Sequence, residues 1–149
     1  MCGLLYTNNP EIRKKDFISA LEKMNHRGPD VKKCYENINF NKFGHNRLKI
    51  LDLDSRSNQP MFSKKRDLLI VFNGEIYNFK ELKEKYQINA TTTSDTEILL
   101  ELYSLRGYKM LDELNGMFAI VVYDIAKNEL FVARDRLGIK PLYLSLIHI

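Results

Sequence analysis

Chemistry in this 149-residue chain is concentrated at position 2, a cysteine between Met1 and Gly3. An initiator methionine before a small residue is the usual substrate for removal, which would leave Cys2 with a free α-amine. A thiol titrates near about 8.5 and an α-amine near about 7.7–8.0, so one residue can then carry both nucleophile and base. Such a pairing needs no histidine, and Gly3 allows close backbone approach. Taken alone, a cysteine at the second position is more often simply a small buried residue. The second cysteine, Cys34, lies in a β-prone stretch and reads as a packed thiol. Two cysteines make neither a disulfide framework nor a zinc site. His26, His45 and His148 have no metal-ligand spacing, so no metal is expected.

Composition narrows the setting. The chain carries 23 basic and 19 acidic residues, a net charge of +4, with 44% hydrophobic and 28% charged residues. These values fit a globular domain and exclude a disordered or low-complexity chain. Its length fits a single domain. The basic excess sits in residues 1–90, which hold 17 basic and 11 acidic groups. Its densest runs, Arg13-Lys14-Lys15 and Lys64-Lys65-Arg66, are short and lack aromatic interleaving, so they read as solvated surface rather than a nucleic-acid stripe. The longest apolar run, Met117 to Tyr123, is far below the roughly 20 residues of a membrane span. With no signal-peptide pattern at the N-terminus, a cytoplasmic location is expected, with no membrane and no nucleic-acid partner.

The elements that must position Cys2 follow from periodicity. Cys2 to Tyr6 reads as a short buried strand. Glu11 to Met24 reads as a helix, with Phe17, Ile18, Leu21 and Met24 on one face. His26-Arg27-Gly28-Pro29-Asp30 ends it. Strand-prone pieces follow at Val31–Tyr35, Ile38–Phe40 and Phe43–Ile50. Leu68 to Phe72 reads as a strand stopped by an Asn73-Gly74 turn. Helices are expected at Phe79–Tyr86 and Thr96–Leu105, the second capped by Ser94 or Asp95, with Ile98, Leu99, Leu102 and Leu105 as its stripe. Met117–Tyr123 and Glu129–Arg134 complete the set as strands around an Asp124–Asn128 turn. Helices between clusters of strands imply an α+β arrangement with helices covering antiparallel sheets.

Several segments, in order, carry a resemblance. After Met1-Cys2-Gly3 come His26-Arg27-Gly28-Pro29-Asp30, then Gly44-His45-Asn46-Arg47-Leu48 with Gln59-Pro60-Met61. Asn73-Gly74-Glu75-Ile76-Tyr77-Asn78 and Ser94-Asp95-Thr96-Glu97 follow. Leu114-Asn115-Gly116-Met117-Phe118-Ala119 and the run from Arg134-Asp135-Arg136 to Pro141-Leu142-Tyr143 close the set. Together they resemble the class II glutamine amidotransferase domain of glutamine-hydrolysing asparagine synthetases, over residues 1–143. The resemblance implies an N-terminal-nucleophile fold of four αββα layers, two antiparallel sheets between helices. Residues 144–149 depart from the pattern, so the domain reads as incomplete at its C-terminal end and 144–149 as a non-family tail.

What the resemblance implies for the site is specific. Cys2 would attack the side-chain amide of L-glutamine, with Asn73 and Gly74 forming the oxyanion hole. Arg47 would take the α-carboxylate and Asp95 the α-ammonium, with Glu75 beside them and Leu48, Lys49, Ile50 and Leu51 lining the pocket. In isolation Arg47 reads as a surface salt bridge and Asp95 as a helix cap. Neither His26 nor His45 gains a catalytic role. The glutaminase half needs no cofactor; ATP and magnesium belong to a synthetase domain that would amidate aspartate and for which these residues carry no pyrophosphate loop. A related amidotransferase with another ammonia acceptor, or a non-catalytic fragment, is the alternative.

Overall fold

The computed structural model describes residues 2–145, and two antiparallel sheets form its middle. The first sheet has the order β1-β3-β2, from Gly3–Thr7 (β1), Val31–Glu36 (β2) and Lys42–Arg47 (β3). The second has the order β4-β5-β6-β7, from Met61–Phe62, Leu68–Ile76, Gly116–Asp124 and Glu129–Arg134. Three helices flank them: α1 at Lys14–Lys23, α2 at Phe79–Lys85 and α3 at Asp95–Arg106.

Alternation along the strands explains the layers, because successive side chains of a strand point to opposite faces. From β5 and β6, Leu69, Val71, Val121 and Tyr123 enter one apolar cluster with Phe43 of β3, which fills the space between the sheets. The intervening Ile70, Phe72, Ile76, Phe118, Ile120 and Val122 enter a second cluster with Leu82 of α2 and Ile98, Leu99 and Leu102 of α3. On the far side of the first sheet, Phe17 and Leu21 of α1 come so close to Gly44 that a β-carbon there would sit 3.0 Å from both side chains. The result is the αββα stack. Residues 144–145 are described without regular structure, and most of the departing tail, 146–149, lies outside the described residues.

Most element boundaries agree with the periodicity within a few residues. The strand expected at Cys2–Tyr6 is Gly3–Thr7, and Glu129–Arg134 is as expected. Helix α1 begins three residues later than Glu11, because Arg13 is still extended (φ −66°, ψ 150°). Four readings need correction. Ile38–Phe40 is the β2–β3 turn, where Phe40 takes a positive φ of 61° and Asn37 accepts N–H groups of Asn39 and Asn41. The strand expected to run on to Ile50 ends at Arg47. Leu105 is 60% exposed, outside the buried stripe of α3.

The fourth correction touches the site. Asn73-Gly74 is no turn: β5 runs unbroken from Leu68 to Ile76 and pairs residue by residue with β6, Leu68 opposite Asp124 and Ile76 opposite Gly116. A nine-residue ladder overrides the local preference of the dipeptide. Gly74 is required there for another reason. A β-carbon at 74 would overlap the Met117 carbonyl of β6.

Candidate active site

Register brings Cys2 to its place. Strands β1 and β3 pair with Gly3 opposite Asn46, so Cys2 lies just beyond the last pair, where β3 gives way to Leu48. The Leu48 N–H donates to the Cys2 sulfur at 3.4 Å, and the sulfur lies 3.8 Å from the Leu48 carbonyl oxygen. Arg27 donates from Nε to the Cys2 carbonyl at 3.2 Å. The loop carrying Arg27 is pinned to the same strand end: Asp30 N–H donates to the Arg47 carbonyl, and its carboxylate accepts Lys49 N–H at 2.7 Å. Gly28 passes so near that a β-carbon would overlap the Asn46 carbonyl.

Cys2 opens onto a cavity of about 90 Å³. Arg47, Leu48, Ile50, Leu51, Asn73, Gly74, Glu75 and Asp95 line it, so the structure gathers the sequence-predicted set around one space. Lys49 is the exception and does not line it. Sequence reasoning gave no part in the site to Ser57, Gln59, Phe72, Ser94, Thr96, Met117 or Lys140, which also line the cavity. Gln59, Ser94, Thr96, Met117 and Lys140 fall within recognised motifs; that placement was the one signal available for them.

The floor of the cavity is the free edge of β5. In an antiparallel ladder, residues alternate between bonding the partner strand and facing away. On β5 the even-numbered residues face away from β6: Leu68 N–H goes to Ser63 Oγ, Phe72 N–H to Gln59 Oε1 at 2.6 Å, and Ile76 N–H to Asp95 Oδ2 at 3.0 Å. By the same alternation the Gly74 N–H points off the sheet between two occupied positions, into the cavity that Gly74 lines. Asn73, 5% exposed, lies beside it.

Two buried charges face the same space. Arg47, 5% exposed, spends four guanidinium N–H contacts on the following loop. It donates to the Asp54 carbonyl at 2.9 Å, Asn58 Oδ1 at 2.8 Å, the Leu51 carbonyl at 3.0 Å and the Asp52 carbonyl. Asp95, the first residue of α3, is also 5% exposed. It holds the Ile76 N–H, while Ser94 caps the helix by accepting Thr96 N–H. Burial pushes the Asp95 carboxyl up to about 6; the nearby Glu75 charge adds to this, and the N–H bonds from Ile76 and Thr96 oppose it.

The histidines stand apart from the nucleophile. His26 is exposed beside the Lys23 carbonyl. His45 is fully buried and its Nε2 lies 3.0 Å from the Phe72 carbonyl, which can only accept, so Nε2 carries the proton. Burial, with the Arg47 charge adding to it, pushes His45 down to about 4, so it is neutral at ordinary pH. Among the described residues there is no cluster of three His, Cys, Asp or Glu placed to hold a metal. No helix of the described residues is long and apolar enough to cross a membrane.

An αββα stack whose first strand follows directly on a cysteine bordering a cavity has the arrangement of the N-terminal-nucleophile fold. Comparison with known proteins makes this specific. Residues 1–148 match the family described as "Glutamine amidotransferase domain", and the chain belongs to that family. It is 39% identical to asparagine synthetase B [glutamine-hydrolyzing] of Escherichia coli, over 97% of this chain and 27% of that protein. It is also 39% identical to asparagine synthetase [glutamine-hydrolyzing] 2 of Bacillus subtilis, and 36% to asparagine synthetase [glutamine-hydrolyzing] 2 of Arabidopsis thaliana. Each match covers 97% of this chain, but 20% and 26% of those proteins. The chain thus spans about a quarter of the length of such relatives.

Proposed function

We propose that the chain is the glutaminase part of an asparagine synthetase, releasing ammonia from L-glutamine through a thioester on Cys2. The Cys2 sulfur bonds to the side-chain amide carbon, and the carbonyl electron pair moves onto oxygen. Collapse of that tetrahedral species breaks the C–N bond, and the amide nitrogen leaves as ammonia after taking a proton. Water then adds to the thioester, and glutamate leaves as the sulfur regains its proton. In this reading the Cys2 α-amine, freed by loss of Met1, carries the proton between sulfur and leaving nitrogen.

The observation that carries the proposal is the placement of the Gly74 N–H. Donors fixed before charge develops are the strongest single contribution to acyl-transfer catalysis. Gly74 is held between two occupied β5 positions, and the Asn73 amide beside it supplies the second donor. Asp95 answers the α-ammonium: among the described residues its hydrogen-bond partners are uncharged, and a buried carboxylate so placed is relieved by a cation that binds. Arg47 supplies positive charge for the α-carboxylate, although the loop acceptors already engage four of its N–H contacts.

The acceptor side rests on the relatives named as asparagine synthetases. ATP, magnesium and aspartate belong to a synthetase domain beyond these residues, and the enzyme works in the cytoplasm. Glutamate release by the expressed chain, with mass spectrometry of its N-terminus, tests the core of the reading. Cys2→Ala is expected to abolish release, and active protein is expected to begin at Cys2. Full activity with Met1 retained would remove the amine from the mechanism, and activity in Cys2→Ala would remove the nucleophile.

A further inference from the structure

Gln59 reaches the oxyanion strand from outside the sheet. Its Oε1 accepts the Phe72 N–H at 2.6 Å, and its Nε2 donates to Thr96 Oγ1 at 3.3 Å. On the other side of the same residue, His45 donates to the Phe72 carbonyl. Strand β4 reaches only as far as Ile70, so beyond it the edge of β5 has no strand neighbour among the described residues. Side chains take over there. All three groups are buried, Gln59 at 5%, His45 at 0% and Phe72 at 3% exposure. The peptide units on either side of Phe72 are therefore fixed by two side chains, Gln59 at its N–H and His45 at its carbonyl.

We propose that Gln59 is a positioning residue for catalysis, aligning the Asn73–Gly74 donors through its bond to Phe72 N–H. The proposal rests on the oxyanion reading of Asn73 and Gly74. Through Thr96, the neighbour of Asp95, the same side chain ties the strand that meets developing charge to the helix end that meets the α-ammonium. A buried N–H without its acceptor shifts toward one, and a shift of about an ångström at a reacting centre costs roughly a hundredfold in rate. Because the effect reaches the transition state more than the ground state, it belongs in kcat rather than KM.

The test compares Gln59→Met, Gln59→Glu and Asn73→Ala by steady-state glutamate release. Gln59→Met keeps the shape but no acceptor; kcat is expected to fall about 10–100-fold with KM within about threefold. Gln59→Glu keeps an oxygen on the Phe72 N–H and is expected to return kcat to within about threefold of the unsubstituted chain. Asn73→Ala is expected to lose about 10²–10³-fold in kcat. An unchanged kcat in Asn73→Ala would overturn the oxyanion reading, and this proposal with it. Slow Asn73→Ala beside unimpaired Gln59→Met, or a Gln59→Met defect confined to KM, would overturn the positioning role alone. Should Gln59→Met not fold, Gln59→Leu takes its place: a kcat lower by about 10–100-fold with KM within about threefold supports the role, and an unimpaired kcat overturns it.

Discussion

Arg47 and Asp95 line one cavity, and both are 5% exposed, yet the structure treats them in opposite ways. Around Arg47 the loop from Leu48 to Asn58 is wrapped so that three carbonyls and an amide oxygen meet the guanidinium. Its N–H groups are engaged before any ligand arrives, by neutral acceptors that leave its positive charge for a carboxylate. Among the described residues Asp95 has only N–H and hydroxyl partners, and burial pushes its carboxyl up to about 6. That charge is costly until a cation binds. A satisfied buried charge holds structure together, whereas an under-satisfied one stores affinity for a ligand.

The loop wall is itself tied to the helix wall. Asp52, at a left-handed φ of 47°, accepts the Thr93 N–H at 2.7 Å and its hydroxyl at 3.1 Å. Glu97 of α3 holds the Thr91 and Thr92 N–H groups from the other side. The segment leading into Asp95 is thus clamped by two carboxylates, and one of them depends on the loop that Arg47 organises. Arg47 and Asp95 are thus linked through the Asp52–Thr93 bonds.

The largest expected effect is that of Arg47→Ala. Loss of the loop bonds and of the charge together should cost about 2–5 kcal/mol in stability. Glutamine affinity should fall on the order of 30- to several-thousand-fold. Thermal unfolding beside glutamine titration checks both. Arg47→Lys sharpens the reading, since it keeps the charge but lacks the planar fork. Most of the stability loss should persist while part of the affinity returns. Equal recovery of both would mean that the loop does not depend on the fork.

Asp95→Asn should split the two properties. Asparagine still accepts the Ile76 N–H but needs no ionisation, so the free protein is expected to gain about 1–3 kcal/mol at pH 7. Glutamine affinity should drop at least about 30-fold, with less loss for an analogue lacking the α-amine. A variant that loses stability as well as affinity would erase the contrast with Arg47.

A smaller effect is read from pH. The Asp95 carboxyl is raised, so between about pH 4 and 6 the folded chain binds more protons here than the unfolded one. This group's contribution to stability therefore improves as pH falls through that window and worsens as it rises. Glutamine binding has the opposite sign, because the α-ammonium favours the ionised form. KM should rise as pH falls below about 6, by up to tenfold per pH unit, and Asp95→Asn should flatten the profile. A KM independent of pH between 5 and 7 would detach Asp95 from the ammonium.

Much of this contrast was invisible in the sequence. Apolar periodicity located α1 through Phe17 and Leu21 and α3 through Ile98, Leu99 and Leu102, because burial of one face is a local pattern. The motifs named Cys2, Arg47, Asn73, Gly74 and Asp95 as a set. The Asn73-Gly74 turn failed because a long ladder outweighs a two-residue preference. Arg47 as a loop organiser, and Gln59 on the Phe72 N–H thirteen residues away, depend on which strand edge lies open after the sheets assemble. No spacing rule encodes that.

Trapping of the acyl-enzyme tests the central claim most directly. The chain is mixed with glutamine, quenched in acid within the first turnovers, digested and read by mass spectrometry. A γ-glutamyl thioester is expected on Cys2 of chains that begin at Cys2, with none on Cys34 and slower accumulation in Asn73→Ala. Glutamate release with no adduct on Cys2, or an adduct on Cys34 alone, would contradict that claim.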